Sequence, residues 1–128
     1  MRKYKRKNIC NYVCPWCFNQ IEDCTCDFAP YSLIMVDNNL QEAVRKLNQK
    51  KYFTVDCCEG HYNFSIPNTY ISFAYSVKLP NFPIGFDYEK DGNVIRKIYN
   101  VETKEEFKEA QREAIQSINN WVDALEER

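Results

Sequence analysis

Five of the chain's seven cysteines lie between Cys10 and Cys26, and this cluster constrains the fold more than any other feature. Cys14-Pro15-Trp16-Cys17 is followed by Cys24-Thr25-Cys26, a spacing of C-x2-C-x6-C-x-C. Four thiolates so close in sequence can surround one tetrahedral ion, and an all-cysteine quartet is a structural zinc set. A segment this short buries too little apolar surface to fold alone. Metal coordination by Cys14, Cys17, Cys24 and Cys26 is therefore expected to shape it. The Cys-x-Cys pair is tighter than the usual Cys-x2-Cys, so Cys10 is an alternative ligand. Four cysteines fill the coordination sphere and leave no position for a reactive water, which predicts a structural rather than a catalytic Zn2+.

The redox compartment follows from the same residues. The basic start of the chain leads into cysteines rather than an apolar core region, so no secretory signal is read there. No run approaches the roughly 18 apolar residues of a membrane span. In a reducing cytoplasm a Cys-x-x-Cys cluster favours metal over disulfide, and an odd cysteine count argues against a fully paired scaffold. The expected location is the cytoplasm, the host's if the chain is phage-encoded. An abundance of Asn, Lys, Ile, Tyr and Phe against three glycines fits A/T-rich coding, as in a low-GC bacterium or its phage.

Charge divides the chain. The net charge is −1, but residues 1–10 carry +5 and residues 102–128 carry −4. Residues 1–9 read as a basic flexible arm, 10–28 as a zinc-binding head and 29–128 as an α+β domain. In the last of these, Tyr31–Val36 predicts a strand. Residues 39–50 predict an amphipathic helix, with Asn39 and Glu42 as a capping box and Lys50 and Lys51 at its negative end. Tyr52–Cys57 and Thr69–Val77, rich in β-branched and aromatic residues, predict strands. Pro80 and Pro83 mark an irregular crossing. Phe86–Lys90 and Asn93–Tyr99 flank Asp91-Gly92 and predict a hairpin with a type I′ turn. Thr103 and Glu106 form a capping box for a long acidic helix reaching residue 127, with Phe107, Ala110, Ala114, Ile118, Trp121 and Leu125 along one face. The expected architecture is an antiparallel sheet of four to five strands with two helices and an N-terminal four-cysteine zinc head. In the strand at 69–77, Phe73 and Tyr75 share a face and are assigned to the core.

A second constellation is Asp56-Cys57-Cys58-Glu59-Gly60-His61, which holds the only histidine of the chain. It admits three readings. Cys57 or Cys58 with His61 and Cys10 would make a second metal site. Cys58 and His61, with Glu59 orienting the imidazole, would make a nucleophile pair. A turn would use Gly60 for a left-handed backbone and bury one cysteine in the core. Cys57 and Cys58 point to opposite faces of a strand, so only one easily faces His61. No Gly-rich phosphate loop or Ser-His-Asp order is present. A third feature is the mixture of Arg2, Lys3, Lys5, Arg6 and Lys7 with Tyr4, Tyr12 and Trp16, which suits phosphate and base contacts. The pI near 5.9 confines any such surface to the arm and head.

The order Cys-x-x-Cys, Cys-x-Cys, Leu47–Thr54, Cys57-Cys58-Glu59-Gly60-His61 and Tyr70–Phe73 resembles small zinc-binding proteins of low-GC Gram-positive bacteria and their phages. The resemblance spans residues 14–73 and implies no particular activity. Thr54, Cys58 and Gly60 alone are similar to a signature of a tRNA wybutosine-synthesis methylase, and no cofactor-binding residue transfers from them. The expectation is a zinc-binding accessory protein acting as a binding module toward a protein or protein–nucleic acid partner. A phage-encoded inhibitor of host defence is one version. The alternatives are an enzyme centred on Cys58 and His61 and a nucleic-acid-binding protein using the basic arm. No membrane partner is expected, and the oligomeric state is open.

Overall fold

Alternation decides which face of the sheet meets the helices. In Asn68–Phe73, Thr69, Ile71 and Phe73 are buried, while Asn68, Tyr70 and Ser72 are half-buried. That period of two gives the strand one apolar and one polar face. The computed structural model describes residues 10–13, 34–62 and 66–128. Their strands are β1 (Cys10–Val13), β2 (Ile34–Asp37), β3 (Thr54–Cys58), β4 (Asn68–Phe73), β5 (Asp87–Glu89) and β6 (Val94–Ile98). The helices are α1 (Gln41–Gln49) and α2 (Lys104–Ala124). The basic arm and Cys14, Cys17, Cys24 and Cys26 lie outside the described residues.

β3 to β6 form one antiparallel sheet in the order β3-β4-β6-β5. Both helices pack on its Ile71 face. Val44 and Leu47 of α1 join Ile118, Trp121 and Val122 of α2 over Cys57, Ile71, Phe73 and Ile95. A smaller cluster of Tyr99, Phe107 and Ala114 extends this core toward the start of α2. β1 and β2 form a separate antiparallel ladder, from Cys10 opposite Asp37 to Val13 opposite Ile34, and β2 runs close to β3. The result is the expected α+β class, with a four-stranded main sheet and two helices.

The long helix forms with its capping box, but it ends at Ala124 rather than residue 127, with Leu125 as an extended C-cap. Thr103 Oγ1 accepts from the Glu106 amide at 3.1 Å, and the Glu106 carboxylate accepts from the Thr103 amide at 3.1 Å. Phe107, Ala114, Ile118, Trp121 and Leu125 are buried and Ala110 is half-buried. Four local readings need correction. The Asn39–Glu42 capping box does not form; a 3-10 turn, Asn38–Leu40, leads into α1, whose N-cap Leu40 has no side-chain cap. The strand predicted over Thr69–Val77 ends at Phe73, where a turn donates the Val77 amide to the Ala74 carbonyl at 3.0 Å. Tyr75 leaves the sheet there and is 86% exposed rather than in the core.

The hairpin at Asp91-Gly92 is present, but not with a type I′ turn. Positive φ falls on Asn93 (53°), whose amide donates to the Lys90 carbonyl at 3.2 Å. Asn93 is buried, and its Nδ2 donates to the carbonyls of Ala74 and Val77 at 2.8 and 2.9 Å. A tertiary role for the asparagine side chain thus selects a longer loop over the two-residue turn. Lys50, in turn, does not serve α1 alone: its Nζ donates to the Val122 and Leu125 carbonyls, both at 2.7 Å. Those carbonyls belong to the end of α2, where helix acceptors lack internal partners. Among the described residues, no helix is long and apolar enough to cross a membrane.

Candidate functional site

β3 delivers the cysteine–histidine turn, and its register sorts the two thiols. Cys57 lies opposite Ile71 and is buried in the core; Cys58 lies opposite Tyr70 on the other face and is half-exposed. Cys58 Sγ accepts from the Gly60 amide at 3.4 Å, closing the turn on itself. Gly60 has φ of +95°, and a Cβ there would stand 2.8 Å from the Asn68 carbonyl oxygen. Both the backbone region and the space require glycine.

Glu59 is only 7% exposed, and its carboxylate grips Asn39 twice. Oε1 accepts from the Asn39 amide at 3.0 Å, and Oε2 accepts from Asn39 Nδ2 at 2.8 Å. The turn's carbonyls are held as well. Thr69 Oγ1 donates to the Glu59 carbonyl at 2.6 Å and pairs with Tyr99 Oη at 2.7 Å. Gln111 Nε2, from α2, donates to the Glu59 and Gly60 carbonyls at 2.7 and 2.9 Å. Four elements therefore converge to fix this corner. The turn reading, with Gly60 left-handed and one cysteine in the core, matches what is seen.

His61 and Cys58 serve different surroundings. His61 lines a hollow of about 490 Å³ together with Tyr62, Lys104, Lys108 and Gln111, and Cys58 is not part of its wall. Cys58 instead begins a polar row across the opposite face of the sheet: Cys58, Tyr70, Arg96 and Asp87 are successive register partners. Tyr70 Oη donates to Asp56 Oδ2 at 2.9 Å. Arg96 stacks over the Tyr70 ring at 4.9 Å, donates from Nε to Glu89 Oε2 at 2.7 Å and from Nη1 to Asn68 Oδ1 at 2.6 Å. Partial burial, then the Asp56 carboxylate, pushes the Tyr70 phenol well above its ordinary value. It remains a neutral donor.

Among the described residues, no group of three or more His, Cys, Asp and Glu side chains is arranged to hold a metal ion. A site using Cys57 or Cys58 with His61 would need further ligands. The Cys10 backbone pairs with that of Asp37, two residues before Asn39.

Sequence reasoning missed Tyr70, Asp56 and Arg96 as one unit. The alternation in β4 assigns Tyr70 to the polar face, but Arg96 reaches it only through the β4–β6 register. It also missed a groove of about 850 Å³ between residues 81–86 and α2. Pro80 precedes that loop and Pro83 lies within it, the Phe86 amide donates to the Pro83 carbonyl at 3.2 Å, and Gly85 takes φ of +87°. Trp121 Nε1 donates to Asn81 Oδ1 at 2.6 Å and Ser117 Oγ to the Ile84 carbonyl at 2.8 Å. These bonds hold Ile84 90% exposed and Phe82 41% exposed, the latter stacked on Tyr88 at 4.7 Å. Compared with known proteins, the chain matches no family model, no curated protein and no solved structure.

Proposed function

We propose that the chain is a small zinc-binding accessory module that acts by occupying the surface of a protein partner. The observation that carries this reading is the groove beside α2, where a braced loop presents Phe82 and Ile84 to solvent. Large apolar side chains kept exposed on an ordered loop cost solvation unless a partner covers them. Their prior fixing lowers the ordering cost of association. The occupant is an apolar segment of a protein partner, with Ile84 as the central anchor.

The zinc site is proposed at Cys14, Cys17, Cys24 and Cys26, where it would organise the segment between β1 and β2. The pairing of Val13 with Ile34 supports this role, because it brings both ends of that segment together. An inhibitor acting by steric occlusion, in a host cytoplasm, is the concrete version of the module. The enzyme reading draws less support, because Cys58 closes a turn and both Glu59 oxygens hold Asn39.

The test is a photo-crosslinking residue at position 84, in cells that express the full chain. The expected result is one protein adduct that disappears in a Phe82→Asp background and persists in Cys58→Ala and His61→Ala. An adduct spread over many abundant proteins, or one indifferent to Phe82→Asp, overturns the docking face. A cellular effect abolished by Cys58→Ala, with folding and the adduct intact, moves the function to the cysteine.

A further inference from the structure

The hollow around His61 has a different chemistry from the groove. Its lining includes His61 and the lysines Lys104 and Lys108, one turn apart on α2. Neither lysine has an ion-pair partner among the described residues. The only carboxylate in the wall is Glu59, whose two oxygens already hold Asn39. The nearby Glu106 carboxylate is turned back onto the amides of Glu102 and Thr103, at 2.9 and 3.1 Å. The Glu106 carboxylate is thus engaged on backbone donors, while Lys104 and Lys108 line the hollow.

An aromatic surface completes the wall. Tyr62 is exposed and leans on the buried Phe107 ring, with centroids 5.6 Å apart at 51°. Its hydroxyl donates to the Glu102 carbonyl at 3.3 Å, so both ends of the side chain are anchored. Two lysines beside one presented ring match a phosphate ester attached to a flat base. Below the hollow, Gln111 fixes the Glu59 and Gly60 carbonyls, so the His61 backbone is held in place by α2 itself.

We propose that this hollow binds the phosphate of a nucleotide, with Lys104 and Lys108 on the phosphate and Tyr62 against the base. The unit is supplied either as a free mononucleotide or as one residue of a single strand. The site shares no lining residue with the docking groove.

Because His61 is the only histidine, its imidazole signals in a carbon-13 NMR spectrum need no assignment. The full-length protein is titrated with inorganic phosphate, a nucleoside 5′-monophosphate and a five-nucleotide single-stranded RNA. Saturable shifts with the nucleotides, weaker with phosphate, are expected. The tighter of the two nucleotide arms identifies the source. Lys104→Ala with Lys108→Ala, both exposed and off the core, is expected to weaken binding at least tenfold, and Tyr62→Leu to erase the preference over phosphate. Lys90→Ala, on the far hairpin, is expected to change nothing. Absence of a saturable shift with all three probes overturns the proposal. So does binding that survives the double variant, or falls equally with Lys90→Ala.

Discussion

The two helices begin in opposite ways. α2 is started by its neighbours in sequence: Thr103 and Glu106, three residues apart, satisfy each other's amides on the surface. α1 has no such device. Its lead-in turn is held by Glu59, twenty residues downstream, which takes both the amide and the side-chain nitrogen of Asn39. A local cap strengthens a helix that can form early. A distant one makes the helix start conditional on β3 and its turn already being in place. The corner that carries Cys58 and His61 is therefore part of what holds α1 to the sheet.

That contrast fixes the order of mutational effects. Glu59→Ala removes two charge-assisted bonds from a buried carboxylate, and a loss of about 3 kcal/mol is expected in urea unfolding. A loss no larger than that of a surface substitution would remove the distant clamp from the comparison. Gly60→Ala meets the Asn68 carbonyl and an unfavourable φ together, for an expected loss of about 2 kcal/mol. It is expected to expose the amides of residues 39–41 to faster hydrogen exchange as well, because the Glu59 clamp moves with the turn. Thr103→Ala deletes a local cap and is expected to cost about 1 kcal/mol, with faster exchange confined to the first turn of α2. Exchange spreading to α1 would contradict the division into local and distant starts.

The smallest effect is in pH. Amides of Glu102 and Thr103 donating to the Glu106 carboxylate hold its pKa below the ordinary 4.5. Lys46 does the same for Asp123, from an ordinary 3.8. A carboxylate depressed in the folded state stabilises fully above its unfolded value, and that contribution is lost as pH falls through the folded one. The stability gap between the native chain and Glu106→Gln is expected to be open near neutral pH and to close on acidification below 4.5. A gap that stays constant through that range would mean that the carboxylate charge plays no part in the cap.

The same division explains what was legible beforehand. Thr103, Glu106 and the apolar face from Phe107 to Leu125 are a short-range code, and α2 follows it closely. The opposite faces of Cys57 and Cys58 are equally local, since they need only the pleat of one strand. Asn39 carries the same type of signal as Thr103, yet the code misleads there. Its side chain is claimed by Glu59, and Asn93 is likewise drawn inward by the Ala74 and Val77 carbonyls. In both cases a tertiary acceptor or donor outbids the local pattern. Tyr70, Asp56 and Arg96 meet through strand register, and the hollow at His61 through the docking of α2. Neither relation has a trace in spacing along the chain.

One more property follows from the Val13–Ile34 pair. The residues flanking the segment 14–33 are paired on a single rung of a ladder, so the fold brings the two ends of that segment side by side. Loop-closure entropy grows only slowly with length once the ends are joined. A change in the length of that segment is therefore expected to add little closure entropy to the Val13–Ile34 pairing. The Val13–Ile34 rung sets the separation of the two anchor points from which that segment springs.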